Sequence, residues 1–177
     1  LGQIAGLANL TSLTINDNDF MTDISQLGSK TNLTKLNLDD CANLTSLKGL
    51  TGTNYPALQE LYCARCNALS DISALSGSAL PALKKIDFGD SASIADIAPL
   101  KGYTSLEYLD IEKVKITEAN RTGYRDAIRS LPNLKTLYMP YCYITDEDTE
   151  MFSALQNLES LVLNMNELTN TAFCDQL

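Results

Sequence analysis

The stretch "LTKLNLDDCANL", residues 33–44, decides the fold. Leu36 and Leu38 stand two apart with Asn37 between them, the spacing of a short strand that turns one face to a core and the other outward. Cys41 follows where that strand has ended, and Leu44 resumes the apolar pattern. The phrase returns as "LTSLTINDNDF" (10–20), "LQELYCARCNAL" (58–69), "LKKIDFGDSASI" (83–94), "LEYLDIEKVKI" (106–116), "LKTLYMPYCYI" (134–144) and "LESLVLNMNEL" (158–168). Each fits L-x-x-L-x-L-x-x-N/C-x-L, some with one extra residue before the last apolar position. Successive starts lie 23, 25, 25, 23, 28 and 24 residues apart. One such coil cannot bury its own leucines, so the coils stack, the strands join in a parallel sheet, and the outcome is a curved solenoid with that sheet on its concave side.

The segments that carry the chain back are patterned too. "DISQL" (23–27), "DISAL" (71–75) and "DIAPL" (96–100) each set Ile and Leu three apart, which predicts one tight helical turn facing the core. Two later returns predict longer helices. Residues 117–131 place Tyr124, Ile128 and Leu131 on one face and Arg121, Arg125 and Arg129 on another. Thr145 followed by Asp148 fits a capping-box variant that opens a helix running toward Leu155. The Arg stripe is expected to be a solvated face partly paired with Asp146, Glu147 and Asp148, a basic partner-docking stripe being the alternative.

Seven phrases in register resemble the leucine-rich repeat over essentially the whole chain. The D-I-x-x-L returns look like those of the internalin-like, short-turn class, a group dominated by bacterial surface proteins. The resemblance implies an α/β solenoid of horseshoe shape, with short helical turns and two longer helices on the convex side. It implies one domain over 1–177, about seven repeats, expected to be a fragment of a longer protein. It also implies noncatalytic recognition of a protein or glycoprotein, at a bacterial cell surface or after secretion. An intracellular scaffold that regulates a partner enzyme is the alternative.

Composition narrows the chemistry. Thirteen basic against 22 acidic residues give a net charge of −9, which repels nucleic acid at long range. Histidine is absent from the sequence, which removes Ser-His-Asp and Cys-His catalysis and the commonest metal ligand. No stretch approaches the roughly 18 unbroken apolar residues of a spanning helix, so membrane insertion by this chain is not expected. Neither a cofactor nor a metal site is expected. Five cysteines leave at least one thiol unpaired.

The N/C position carries Asn18, Cys41, Cys66, Ser91, Val114, Cys142 and Asn166. A small side chain there points inward and satisfies backbone groups that no strand ladder reaches. Cys41 and Cys66 are expected to stack in adjacent coils as free buried thiols, since parallel stacking rarely offers a disulfide torsion. Cys63 is expected as core filler aimed away from Cys66, and Cys174 as the exposed thiol.

Function is expected on the outward strand residues, because concave faces are the binding surfaces of repeat proteins. Position three of the phrase contributes Lys35, Glu60, Lys85 and Tyr108, position five Tyr62, Asp87, Asp110 and Tyr138, and position seven Asp39 and Glu112. Together with Tyr141 they define a candidate partner-binding set of Tyr62, Asp87, Tyr108, Asp110, Glu112, Tyr138 and Tyr141. Tyrosines around a few charges are what interface hot spots look like. Asp87 and Asp110 fall within carboxylate-pair distance for a retaining glycosidase, but an open sheet supplies no water-excluding pocket. The sequons at Asn9, Asn32, Asn43 and Asn120 are mostly products of the recurring "NLT".

Overall fold

The computed structural model describes residues 2–176. Seven three-residue strands form one parallel sheet in chain order: β1 (Ser12–Thr14), β2 (Lys35–Asn37), β3 (Glu60–Tyr62), β4 (Lys85–Asp87), β5 (Tyr108–Asp110), β6 (Thr136–Tyr138) and β7 (Ser160–Val162). The register aligns the repeat phase throughout, with Leu36 opposite Leu61, Leu61 opposite Ile86 and Asp87 opposite Asp110. Middle residues of β2 to β6 are fully buried while their neighbours stay half exposed, as period-two alternation requires. The fold is the leucine-rich-repeat solenoid, and one apolar core runs from Met21 to Leu155.

Each D-I-x-x-L return makes one 3-10 turn: Ser25–Leu27, Ser73–Leu75 and Ala98–Leu100. The Ile and Leu of each are buried. The leading Asp shapes the turn: Asp23, Asp71 and Asp96 accept the backbone N–H two residues on, at 2.8, 2.9 and 2.8 Å. That Asx turn starts the helical turn without a longer segment. The two longer returns differ in kind. Helix α1 (Arg121–Arg129) is α-helical and buries Tyr124, Ala127 and Ile128. Asp146–Ala154 is wound as a 3-10 helix instead.

Asp148 joins these two helices. Its carboxylate is fully buried and accepts Arg125 Nε at 2.8 Å, Arg121 Nη1 at 2.5 Å and the Thr145 N–H at 3.0 Å. Burial by itself raises its carboxyl; the Thr145 N–H and the two guanidiniums outweigh that and leave it below the ordinary range. The expected Arg stripe is thus a staple between helices, completed by Arg129 and Glu150 at 2.7 Å.

Two residues depart from the phrase. Phe20, in the last apolar slot of the first phrase, is fully exposed, and Met21 fills the core in its place. The first coil therefore carries the extra residue seen in the next three. Lys30 stands in a column otherwise apolar or aromatic, yet is fully buried. Its ammonium donates to the carbonyls of Leu27 and Ala5, at 2.5 and 2.9 Å, and so ties down the first coil.

Candidate functional site

The turn after each strand is built by two columns. At position eight, Asp17, Asp40, Arg65, Asp90, Lys113, Tyr141 and Met165 all have φ between +56° and +63°. A left-handed residue costs roughly 1–2 kcal/mol without glycine, and here every coil accepts one. Side chains along this edge interact: Arg65 is bidentate on Asp40 at 2.6 and 2.7 Å, and Lys113 pairs with Asp90.

Position nine works as expected from the sequence. Cys41, Cys66, Ser91, Cys142 and Asn166 donate to Ile15, Leu38, Cys63, Ile111 and Met139, the last inward strand residue of the coil before. Ser91 Oγ also accepts the Cys66 N–H at 3.0 Å. Val114 has no such donor, and the Tyr124 hydroxyl enters the column there by donating to the Val114 carbonyl. All five cysteines are free thiols, four buried and Cys174 exposed. Cys66 donates its thiol to the Leu38 carbonyl at 3.2 Å, with Cys63 close by. Burial holds the Cys63 thiol well above its usual range, and the neighbouring Cys63 lowers that of Cys66. Both are fully buried, and among the described residues no group of three His, Cys, Asp or Glu side chains is placed to hold a metal.

The candidate binding residues fall in three places. Tyr62, Asp87, Tyr108, Asp110 and Tyr138 lie on the sheet face, half exposed. Glu112 sits just past β5. Tyr141 is not on the sheet: it occupies the left-handed corner, 41% exposed, with the Lys113 ammonium 5.8 Å from its ring centre. Tyr143, which the repeat pattern did not single out, is similar, with φ of +60°, 45% exposure and Lys115 at 5.0 Å. These two form an aromatic rim beside the sheet.

On the sheet itself the aromatic and basic side chains interleave. Lys35 and Lys85 flank the Tyr62 ring at 4.8 and 4.9 Å, Lys85 also sits 4.0 Å from the Tyr108 ring, and the Tyr108 and Tyr138 rings are 5.9 Å apart. Such contacts fix the rings in place and leave their edges exposed. Tyr62 donates its hydroxyl to Glu60 at 2.9 Å, and burial pushes its pKa up to about 12.

The position-five side chains have a structural duty as well. Asn37, Asp87 and Asp110 accept the N–H two residues on, from Asp39, Gly89 and Glu112, at 2.9, 3.1 and 3.0 Å. Desolvation raises both acidic groups, Asp110 to about 6, with Asp87, Glu112 and Asp90 adding repulsion there. The side-chain amides of Asn43 and Asn120 donate to the Asp19 and Ala95 carbonyls in the preceding coil, both at 2.7 Å.

Comparison with known proteins agrees with this architecture. Residues 31–77 match the family model described as leucine rich repeats in two copies. No curated protein matches the sequence. An internalin (inlF) from Listeria monocytogenes is similar at 21% identity and a TM-score of 0.60, over 100% of this chain and 61% of its own. Internalin C2 from the same organism is similar at 24% identity and a TM-score of 0.71, over 96% of this chain and 68% of its own. A chain of the mouse RP105/MD-1 complex gives 19% and 0.56 over 89% of this chain and 30% of its own. The fold is therefore that of the leucine-rich repeats, whose family model matches residues 31–77. Within it, the short 3-10 returns and these similarities make the fold internalin-like, and the chain spans 61% of the first of those internalins.

Proposed function

We propose that this chain is a noncatalytic recognition module that binds a protein through its concave sheet, as part of a bacterial cell-surface or secreted adhesin-like protein. The observation that carries the reading is the row Tyr62, Tyr108 and Tyr138, half exposed on the sheet face, the first two held by Lys35 and Lys85 and the third against Tyr108. Tyrosine supplies contact area and a hydrogen bond at little entropic cost. The similarity in fold to a chain of the mouse RP105/MD-1 complex supports a protein as the partner.

The test is affinity capture from host-cell surface extracts with the wild type, the Tyr108→Ala/Tyr138→Ala variant and a convex control, Lys48→Glu. One host surface protein retained by the wild type and control but lost by the tyrosine variant, at unchanged unfolding midpoint, is the expected result. Equal retention by all three removes the concave face from the reading. Capture of a cytosolic enzyme instead moves the protein to an intracellular regulatory role.

A further inference from the structure

We infer that the partner presents a cationic segment to this face, with an arginine side chain seated across Asp87 and Asp110 and its stem along Tyr108. The inference rests on the concave-face reading and adds the partner's chemistry.

Asp87 and Asp110 are register partners on β4 and β5. Between and beneath them lies Gly89, buried, and a Cβ there would stand 3.3 Å from Oδ1 of both carboxylates. The missing side chain is what lets the two acids lean together over one backbone position. Each uses Oδ1 to accept a turn N–H, from Gly89 and Glu112 respectively. Neither forms an ion pair among the described residues, while the basic side chains nearby are engaged elsewhere. Lys85 lies against the Tyr62 and Tyr108 rings, Lys35 against Tyr62 and Glu60, and Lys113 on Asp90. Two like charges thus share a partly desolvated floor with no cation in ion-pair contact among the described residues, Lys85 and Arg65 acting on Asp87 only from a distance.

An incoming cation complements that arrangement. A guanidinium is planar, donates to two carboxylates at once, and is more weakly hydrated than an ammonium, so it loses less on leaving water. Tyr108, next to Tyr138, gives its aliphatic stem an aromatic wall. The chain's charge of −9 attracts basic partners at long range, but it does so over the whole surface. Only the Asp87–Gly89–Asp110 geometry assigns the contact to one place.

The experiment is selection from a random-peptide phage library against the full chain, followed by affinity measurement of the enriched peptides on variants. The expected result is enrichment of Arg-containing peptides whose affinity falls at least about tenfold for Asp87→Asn/Asp110→Asn, since charged hydrogen bonds are lost. Gly89→Ala, which keeps both charges but makes both carboxylates give way by a few tenths of an ångström, is expected to weaken them as well. The charge-matched convex variant Glu118→Gln/Glu147→Gln is expected to bind normally, and a loss there equal to that of the Asp variant means diffuse attraction and overturns the inference. Peptides that lack Arg and depend on Tyr108 and Tyr138 but not on the Asp pair overturn the inference while leaving the concave reading intact. Peptides indifferent to both pairs overturn both, and failure to enrich any peptide overturns the cationic assignment.

Discussion

Replacing Asp110 with Asn should stabilise the protein at neutral pH. Asn keeps the Oδ1 acceptor that the Glu112 N–H uses at 3.0 Å, so the turn survives and only the charge is removed. A carboxyl raised from 3.8 to about 6 carries at most about 3 kcal/mol against its charged form at pH 7. Water over the open face screens part of that, and about 1 kcal/mol is expected to remain. The sign follows from proton binding. Between about pH 4 and 6 the folded chain holds a proton on Asp110 that the unfolded chain has released, so stability falls as pH rises through that window. Above it the penalty is complete, and below it the penalty is absent.

Urea unfolding of wild type and Asp110→Asn at intervals from pH 3.5 to 7.5 isolates this group, because the other carboxylates are common to both. The expected difference is near zero at the acid end, opens between about pH 4 and 6, and stays constant above. A variant less stable than wild type at pH 7, or a difference that does not change with pH, would refute the electrostatic account of β4 and β5.

Three further substitutions probe other parts of the molecule. Asp148→Ala leaves Arg121 and Arg125 facing a hole between helices and should cost about 3–5 kcal/mol in urea unfolding, with a loss under about 1 kcal/mol showing that the helices hold without it. Ser91→Ala strips the Cys63 carbonyl and Cys66 N–H of their partner at a cost of about 1–3 kcal/mol, whereas Ser91→Cys, the residue used at 41, 66 and 142, should recover part of the loss. Met165→Gly relieves the left-handed backbone of an exposed residue and should stabilise the chain by about 0.5–1 kcal/mol once glycine's own entropy is counted, read as a higher thermal midpoint; no gain would mean that the side chain packs favourably at the corner.

The residues that face the core are legible because they answer to one period. Leu36, Leu61 and Ile86 are placed by the L-x-L spacing alone, and Cys41, Cys66 and Ser91 by their distance from it. What the period does not encode is backbone handedness. Asp17 and Asp40 tolerate φ above zero and hint at the corner, but Tyr141 and Met165 carry no such sign, so the corner is visible only when the coils are overlaid. Contacts between coils are hidden for the same reason. The Lys85 ammonium over Tyr108 depends on side chains leaning across strands, and the second duty of Asp87 and Asp110 as turn acceptors would follow only from noticing Asn37 at the same position. Asp148 reads as a capping residue, yet its pairing with Arg121 and Arg125 needs two returns brought side by side.

The junction between the fourth and fifth coils concentrates these features. It lacks a position-nine side-chain bond, because Val114 cannot donate, and it bears the facing carboxylates of Asp87 and Asp110. Lys113 on Asp90 and Lys85 against Tyr108 work in the opposite direction at the same junction. In a stacked repeat the stability of the whole is close to a sum of such neighbouring interfaces, so a penalty at one junction lowers the stability of the whole array. The neighbouring junction, between the third and fourth coils, shows that the penalty is not required by the fold. There Tyr62 faces Asp87 without a like charge, and Ser91 closes the ladder in both directions. A cost confined to two adjacent side chains on the sheet face, beside aromatic rings held in place, fits the proposed site: the charge that destabilises the free solenoid is the charge that a cationic partner would neutralise.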